Sequence, residues 1–159
     1  MPARILVVDD EPKLERLILQ RFRRKIKEGA YEFSFALDGE LALEAMEQNP
    51  DIDIILSDIN MPKMDGLTLL RHLDTENPFQ KTVMVSAYGD MQNIRTAMNL
   101  GAYDFVMKPI DFEDLETTIN KAWQEIESLR RAALASKELG NIQRCLLYTS
   151  PSPRDGLLS

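Results

Sequence analysis

Short runs of apolar, mostly β-branched residues alternate along this chain with longer segments of helical period. Three of the runs, Ile5–Val8, Ile54–Leu56 and Val83–Val85, are apolar throughout, which is typical of strands buried on both faces of a parallel sheet. The segments between the runs repeat apolar residues at steps of three and four, as amphipathic helices do. Because crossovers between parallel strands are right-handed, this repeated alternation predicts a parallel sheet with helices on both faces.

The pattern defines five strands and the helices that connect them. The predicted strands are Arg4–Val8, Tyr31–Ala36, Asp53–Ser57, Thr82–Ser86 and Tyr103–Met107. The second strand mixes polar residues with aromatic ones, as an edge strand does. The first four helical segments cover Leu14–Ile26, Leu41–Met46, Leu67–Leu73 and Met91–Leu100. We therefore predict a doubly wound α/β fold of the flavodoxin-like (βα)5 type, with strand order 2-1-3-4-5.

The last helical segment is longer than a helix that only covers a small sheet. Its apolar residues step by three and four in turn, at Phe112, Leu115, Ile119, Ala122, Ile126, Leu129 and Ala133. This period of 3.5 residues is typical of a coiled-coil seam, although Ser136 and Gly140 weaken it. One interpretation is a single terminal helix with a frayed end. The preferred interpretation is a domain over 1–125 and, over 126–144, a coupling or dimerising helix that leads towards an output domain outside this sequence.

The segment 145–159 does not continue the helical pattern. Pro151 and Pro153 cannot extend a helix. The string CLLYTSPSPRD, which begins at Cys145, also resembles the translation of a transposase adapter used in sequencing libraries. We interpret this segment as a non-native tail; a genuine disordered tail is the alternative.

Composition excludes several classes of function. The chain has 26 acidic and 19 basic residues, and the net charge of −7 argues against direct nucleic-acid binding. A lone cysteine excludes an internal disulfide and a cysteine-based zinc site. No apolar run approaches the roughly 20 residues that span a bilayer, and the first residues lack the apolar segment of a signal peptide. We expect a soluble cytoplasmic protein without membrane attachment.

Acidic residues follow two of the predicted strands. Asp9 and Asp10 come directly after the first strand, and Asp58 comes directly after the third. In the predicted strand order these strands are neighbours, so the three carboxylates converge on one crevice at the carboxyl ends of the strands. Such a cluster of like charges persists when a divalent cation neutralises it. Oxygen ligands without nearby cysteine or histidine favour Mg²⁺.

Ser86 and Lys108 stand at the ends of the fourth and fifth strands and open onto the same crevice. An acidic pocket with a metal on one side and a lysine on the other is suited to hold a phosphoryl group. Any one of these residues could be ordinary loop punctuation. Five of them at successive strand ends make that explanation poor and favour a site that holds a phosphoryl group.

Four motifs together resemble the receiver domain of bacterial two-component response regulators. They are Asp9-Asp10, the string LSDINMPKMDG over Leu56–Gly66, Ser86-Ala87, and the string GAYDFVMKP over Gly101–Pro109. They occur in order between Arg4 and about Gln124, and their joint occurrence is specific. The resemblance implies that Asp58 accepts a phosphoryl group from a sensor histidine kinase or a histidine phosphotransfer protein.

The resemblance also implies a magnesium site. The side chains of Asp10 and Asp58 and the backbone carbonyl of Asn60 would be ligands, and Asp9 would act mainly through metal-bound water. Pro62 and Gly66 would shape the loop under the site, with Gly66 allowing a close backbone approach.

A switch is the third implication of the resemblance. Lys108 and Ser86 would each contact a phosphoryl oxygen, and Phe105 would turn inward when the Ser86 hydroxyl is drawn towards the phosphate. This would shift a two-state equilibrium on the face formed by the fourth helix, the fifth strand and the last helix. Homodimerisation through that face or through the extended last helix is a further expectation. Lys108-Pro109 would be a cis peptide.

Two residues are expected to tune the lifetime of the phosphoryl group. Asn60 lies two positions after Asp58, and Tyr88 lies two positions after Ser86, so both should flank the path of the attacking water. We hypothesise that the bulk of Tyr88 obstructs that water and slows loss of the phosphoryl group.

Two other functions compete with a phospho-acceptor switch. A magnesium-dependent phosphohydrolase of the haloacid dehalogenase class would require a second aspartate two residues after the nucleophile, where this chain has Asn60. A receiver that works without phosphorylation would lack acidic residues or the lysine, and none is missing. We therefore predict a signalling domain that is not itself an enzyme, although an output domain could be one.

Overall fold

The computed structural model describes residues 2–61 and 63–146, so Pro62 and most of the predicted tail, residues 147–159, lie outside the described residues. Five parallel strands form one sheet in the order β2-β1-β3-β4-β5, which confirms the predicted topology. In chain order the elements are β1 (Ala3–Val8), α1 (Pro12–Arg21), α2 (Arg23–Lys27), β2 (Tyr31–Ala36), α3 (Gly39–Gln48), β3 (Ile54–Asp58), α4 (Gly66–His72), β4 (Lys81–Ala87), α5 (Met91–Asn99), β5 (Asp104–Lys108) and α6 (Phe112–Leu146).

The ends of β3 and β5 lie one residue later than predicted. Asp58 pairs with Val85, and Lys108 pairs with Ala87, so both functional candidates are the last residues of their strands. The apolar pattern misplaces these ends because backbone pairing continues through a charged residue whose side chain points beyond the core. As a result, the backbones of Asp58 and Lys108 are fixed by the sheet itself.

The first predicted helix is broken at Phe22, so the prediction of one helix through Ile26 is wrong. The backbone of Phe22 has φ −104° and ψ 20° between α1 and α2. Its ring is 1% exposed and lies 5.7 Å from the rings of both Tyr31 and Phe33. Burial of this aromatic side chain against β2 accompanies the departure from regular helix geometry.

The strands send alternate residues into two packing layers. On one face, Ile5 and Val7 of β1 pack in a cluster to which α1 and α6 contribute. On the other face, Leu6 and Val8 join a cluster with α3 and α4, and a third cluster, around Met84, includes residues of α4 and α5. Burial of each such aliphatic side chain stabilises the fold by roughly 1.5–3 kcal/mol, as an upper estimate.

The first part of helix α6 packs against the sheet. Leu115, Ile119, Ala122 and Ile126 are buried, whereas Leu129 is half-buried and Ala133 is exposed. The sheet and the helices up to Ile126 form one compact unit, and α6 continues beyond it. Among residues 2–61 and 63–146, no helix has the length and apolarity required to cross a membrane.

We expect Tyr31→Phe to lower stability at neutral pH and to remove part of the alkaline pH dependence. The Tyr31 hydroxyl donates to the Asn120 side chain, and loss of one such bond costs about 1 kcal/mol. Burial, and then the charge of Glu116, raises the pKa of Tyr31 from 10.0 to about 12. The folded state therefore keeps a proton that the unfolded chain loses above pH 10, so wild-type stability falls as the pH rises towards 12.

Urea unfolding of both proteins near pH 8 and near pH 11 measures this difference. The difference in the free energy of unfolding between wild type and Tyr31→Phe should be smaller at the higher pH. A gap that is equal at both pH values would contradict the assignment.

Candidate functional site

Three carboxylates meet at the carboxyl ends of β1 and β3. Asp9 and Asp58 are buried, at 6% and 5% exposure, and Asp10 is exposed. One carboxylate oxygen from each of the three lies within 4.8 Å of the others. β1 and β3 are paired directly, with Val8 opposite Ser57, and this pairing brings the acids together. The convergence predicted from the sequence is therefore present.

Lys108 joins this cluster from the end of β5. Its Nζ donates a hydrogen bond of 2.8 Å to Asp58 Oδ2 and lies 3.6 Å from Asp9 Oδ2. Burial lowers the pKa of Lys108, but the hydrogen bond and charge of Asp58, together with Asp9, outweigh it and raise the pKa above its usual value. The ammonium is therefore charged at neutral pH and offsets part of the acidic charge.

The surroundings of Asp9 disfavour its charged form. Burial is the largest cause that raises its pKa, and the charges of Asp58 and Asp10 raise it further. The backbone N–H of Glu11, which donates to Asp9 Oδ1 at 2.8 Å, and the charge of Lys108 oppose this shift but do not cancel it. The site thus holds more negative charge than its own residues neutralise. This excess, on oxygen ligands alone, fits a hard divalent cation such as Mg²⁺.

The loop after β3 is held tightly around Asp58. The backbone N–H of Asn60 donates to Asp58 Oδ1 at 3.2 Å, and the Ser57 hydroxyl donates to the Asp58 carbonyl at 3.0 Å. The N–H of Gly66 donates to the Ile59 carbonyl at 2.7 Å, which closes the loop. A Cβ on Gly66 would lie 2.3 Å from the Asp58 carbonyl oxygen, so the expected close approach at Gly66 is confirmed.

Ser86 is at the predicted strand end but is already engaged. It is fully buried, and its hydroxyl lies 3.3 Å from Asp90 Oδ2, to which it donates. Asp90 also accepts from the Asn93 side-chain amide at 3.0 Å. The sequence places Asp90 directly before a helix, which indicates an N-cap rather than a partner for Ser86. Asp90 is therefore a residue of this site that the sequence does not reveal.

Phe105 and Tyr88 flank the site in different ways. Phe105 is half-buried against a cluster that includes Met84 of β4 and Ala97 of α5. Tyr88 is 84% exposed in the loop between β4 and α5. The Lys108-Pro109 peptide bond is cis, as expected.

Comparison with known proteins agrees with this arrangement. Residues 5–120 match the family described as the response regulator receiver domain. The chain belongs to this family. A receiver domain is a signalling module of two-component systems, and receiver domains bind Mg²⁺ through acidic residues such as those found together here.

Individual relatives include longer proteins. The chain is 31% identical to the regulatory protein AtoC of Escherichia coli (strain K12), over 96% of this chain and 32% of that protein. It is 33% identical to a protein-glutamate methylesterase/protein-glutamine glutaminase of Koribacter versatilis (strain Ellin345), over 96% of this chain and 42% of that protein. It therefore spans less than half the length of either relative.

A solved structure of similar size is also related. The crystal structure of a response regulator receiver domain protein from Clostridium thermocellum has a TM-score of 0.66 and 30% identity, and the match covers 80% of this chain and 98% of that one. Together, the fold and the family disfavour the phosphohydrolase and the purely structural alternatives.

We expect Asp9→Asn to raise the free energy of unfolding by about 1 kcal/mol when no divalent cation is present, because it removes a buried charge that its neighbours repel. The gain should shrink as the pH falls towards the raised pKa of Asp9, since protonation then neutralises the wild-type carboxyl. Addition of MgCl₂ should stabilise the wild type more than the variant.

Urea unfolding with EDTA and with MgCl₂ provides the measurement. Asp51→Asn is a matched control, since the exposed Asp51 pairs with Arg4 at the start of β1. A loss of stability on Asp9→Asn in EDTA would show that the cluster is not under the repulsion described.

Proposed function

We propose that Asp58 is the phosphoryl acceptor of this receiver domain and that the domain works with Mg²⁺. The observation that carries the proposal is the hydrogen bond from Lys108 to Asp58 within a cluster of three carboxylates. Such a cluster presents one nucleophilic carboxylate, a cation-binding position and a fixed ammonium at a single point. Asp9, Asp10 and Asp58, with the backbone carbonyl of Asn60, would hold the metal.

Transfer from a phosphohistidine needs no further co-reactant. A carboxylate oxygen of Asp58 attacks phosphorus, the P–N bond breaks, and its electron pair returns to the donor imidazole, which takes up a proton. The product is an acyl phosphate on Asp58. The chemistry that bound Mg²⁺ supplies is neutralisation of charge between the carboxylates and the phosphoryl oxygens.

The residues around Asp58 prepare this step. The N–H of Asn60 and the ammonium of Lys108 hold one carboxylate oxygen each, at 3.2 and 2.8 Å, and so fix the orientation of the nucleophile. Once Asp58 is phosphorylated, the Lys108 ammonium pairs with a phosphoryl oxygen instead. Lys108 therefore acts before and after transfer.

A docking position for the donor lies beside the carboxylates. A cleft of about 300 Å³ is lined by Asp9, Glu11, Leu14, Leu17, Lys108, Pro109, Ile110 and Phe112. Its walls are mostly apolar, and Leu17 is 44% exposed there. We propose that a sensor histidine kinase or a histidine phosphotransfer protein seats its histidine-bearing helix on this cleft.

We propose that the switch acts on an output domain outside this sequence. The relatives named above extend well beyond the part that this chain matches, and α6 extends past Ile126 to Leu146. We propose that 126–144 couples the receiver to an output domain, and that phosphorylation shifts the face of α5, β5 and α6, where homodimerisation is a candidate outcome. The receiver itself would be no enzyme and bind no nucleic acid, in a cytoplasmic protein. A non-native origin of 145–159 stays part of this proposal.

Incubation with MgCl₂ and acetyl phosphate, followed by intact-mass measurement, tests the acceptor. We expect the mass of one phosphoryl group on the wild type and on Asp51→Asn, and none on Asp58→Asn or in EDTA. A phosphoryl group on Asp58→Asn would mean that another residue is the acceptor. The absence of any modification on the wild type would overturn the proposal.

We expect Tyr88→Ala to speed loss of the phosphoryl group by about threefold, equivalent to less than 1 kcal/mol of barrier. Tyr88 lies two positions after Ser86 and is 84% exposed, so its ring is not held in the core. The decay of the phosphorylated form, followed by mass, measures the effect. Met91→Ala, which removes a side chain that is 58% exposed at the start of α5, is the control. Unchanged or slower decay would count against a shielding role.

A further inference from the structure

We propose that Asp90 is a positioning residue that holds the Ser86 hydroxyl until Asp58 is phosphorylated and thereby sets the balance of the switch. The inference rests on the proposed function of Asp58. Asp90 is the group that competes with the phosphoryl oxygen for the Ser86 hydroxyl. The competition takes place at the start of α5.

The hydroxyl of Ser86 is well placed to be controlled. Ser86 is fully buried, and the next residue, Ala87, pairs with Lys108 at the end of the sheet. Its hydroxyl lies 3.3 Å from Asp90 Oδ2, which also accepts from Asn93 at 3.0 Å. A serine hydroxyl has one proton to donate. It cannot give that proton to Asp90 and to a phosphoryl oxygen at the same time.

Asp90 differs from two other aspartates that begin helices in this fold. Asp38 and Asp65 precede α3 and α4, and their side chains accept from the backbone N–H groups of Leu41 and Thr68, at 2.9 and 2.8 Å. Asp90 precedes α5 in the same way, yet its side chain accepts no hydrogen bond from the α5 backbone. Its carboxylate is used for Ser86 and Asn93 instead.

The backbone of Asp90 is consistent with this difference. Asp38 and Asp65 are extended, with ψ of 177° and 173°, whereas Asp90 has φ −84° and ψ 54°. The first N–H groups of α5 therefore lack the side-chain acceptor that an extended N-cap supplies. When Ser86 turns to a phosphoryl group, the Asp90 carboxylate loses this donor and keeps the Asn93 amide. The start of α5 thus has two hydrogen-bonded arrangements.

These two arrangements link the phosphoryl site to the switch aromatic. Ala97 of α5 packs in the same cluster as Phe105 of β5. A change at the first turn of α5 therefore alters the packing around Phe105, which has to change when that ring turns inward. Asp90 would favour the resting arrangement, and phosphorylation would favour the other.

Removal of Asp90 should make the activated arrangement easier to reach. Since a single hydrogen bond of this kind changes an equilibrium by about three- to tenfold, Asp90→Ala should bind the phosphoryl mimic beryllofluoride tighter by that factor. In a chain that already carries Ser86→Ala, the hydroxyl is absent. Asp90→Ala should then leave the affinity unchanged.

A double-mutant cycle measures this coupling. Wild type, Asp90→Ala, Ser86→Ala and the double variant are titrated with beryllofluoride in MgCl₂ by calorimetry. Asp111→Ala is the matched control, because Asp111 precedes α6 and accepts from the backbone N–H of Glu113 at 3.0 Å. It should lose stability without a change in affinity. Asp90→Ser, which retains a short side-chain oxygen, replaces Asp90→Ala if the latter fails to fold. It should also bind beryllofluoride more tightly than the wild type.

The outcomes separate this proposal from the function on which it rests. If Asp90→Ala tightens beryllofluoride binding in the wild-type background but not in the Ser86→Ala background, the result supports the role of Asp90. Tightening that persists with Ser86→Ala, or no tightening, overturns that role while the phospho-acceptor function stands. A wild type that neither binds beryllofluoride nor accepts phosphate from acetyl phosphate overturns both.

Discussion

Mutual repulsion among carboxylates at the end of a parallel sheet is the interaction on which the rest of this structure depends. Asp9 and Asp58 are both below a tenth exposed, and ionised groups of one sign at this burial oppose folding. Lys108 relieves part of the repulsion through its contacts with both. The negative charge that Lys108 does not compensate favours binding of a cation. A phosphoryl-transfer site that works with Mg²⁺ requires such a cation-binding position.

Strand pairing and apolar burial in the sheet offset the charge repulsion at the site. Asp58 and Lys108 are strand residues whose backbones pair with Val85 and Ala87, so ladder hydrogen bonds hold them at a fixed separation. The two apolar layers behind them supply the burial that offsets charge repulsion. Gly66 completes the support, because any larger residue would push the loop away from the Asp58 carbonyl. Electrostatic strain is thus confined to one end of a rigid scaffold.

Much of this could be predicted from the sequence, because it depends on local period and on strand order. The apolar runs locate all five strands, and the order 2-1-3-4-5 brings Asp9, Asp10 and Asp58 together. The break at Phe22 was not predictable, since helical spacing continues through it and the burial that accompanies it, against β2, is a tertiary contact. The partner of Ser86 was not predictable either. The direction in which a hydroxyl points depends on its tertiary neighbours, and the spacing of residues along the sequence does not predict those neighbours.

The use of aspartate at helix starts explains why that partner matters. An aspartate before a helix ordinarily stabilises it through the orphan N–H groups of the first turn, as Asp38 and Asp65 do here. Asp90 forgoes this stabilisation in favour of Ser86, so α5 begins with donors that its N-cap side chain does not satisfy. Because the Asp90 carboxylate does not cap α5, loss of the Ser86–Asp90 hydrogen bond would change the start of α5 without loss of a helix cap. In the proposed function, a phosphoryl group on Asp58 would compete for that bond, so a charge change at Asp58 would become a conformational change in α5.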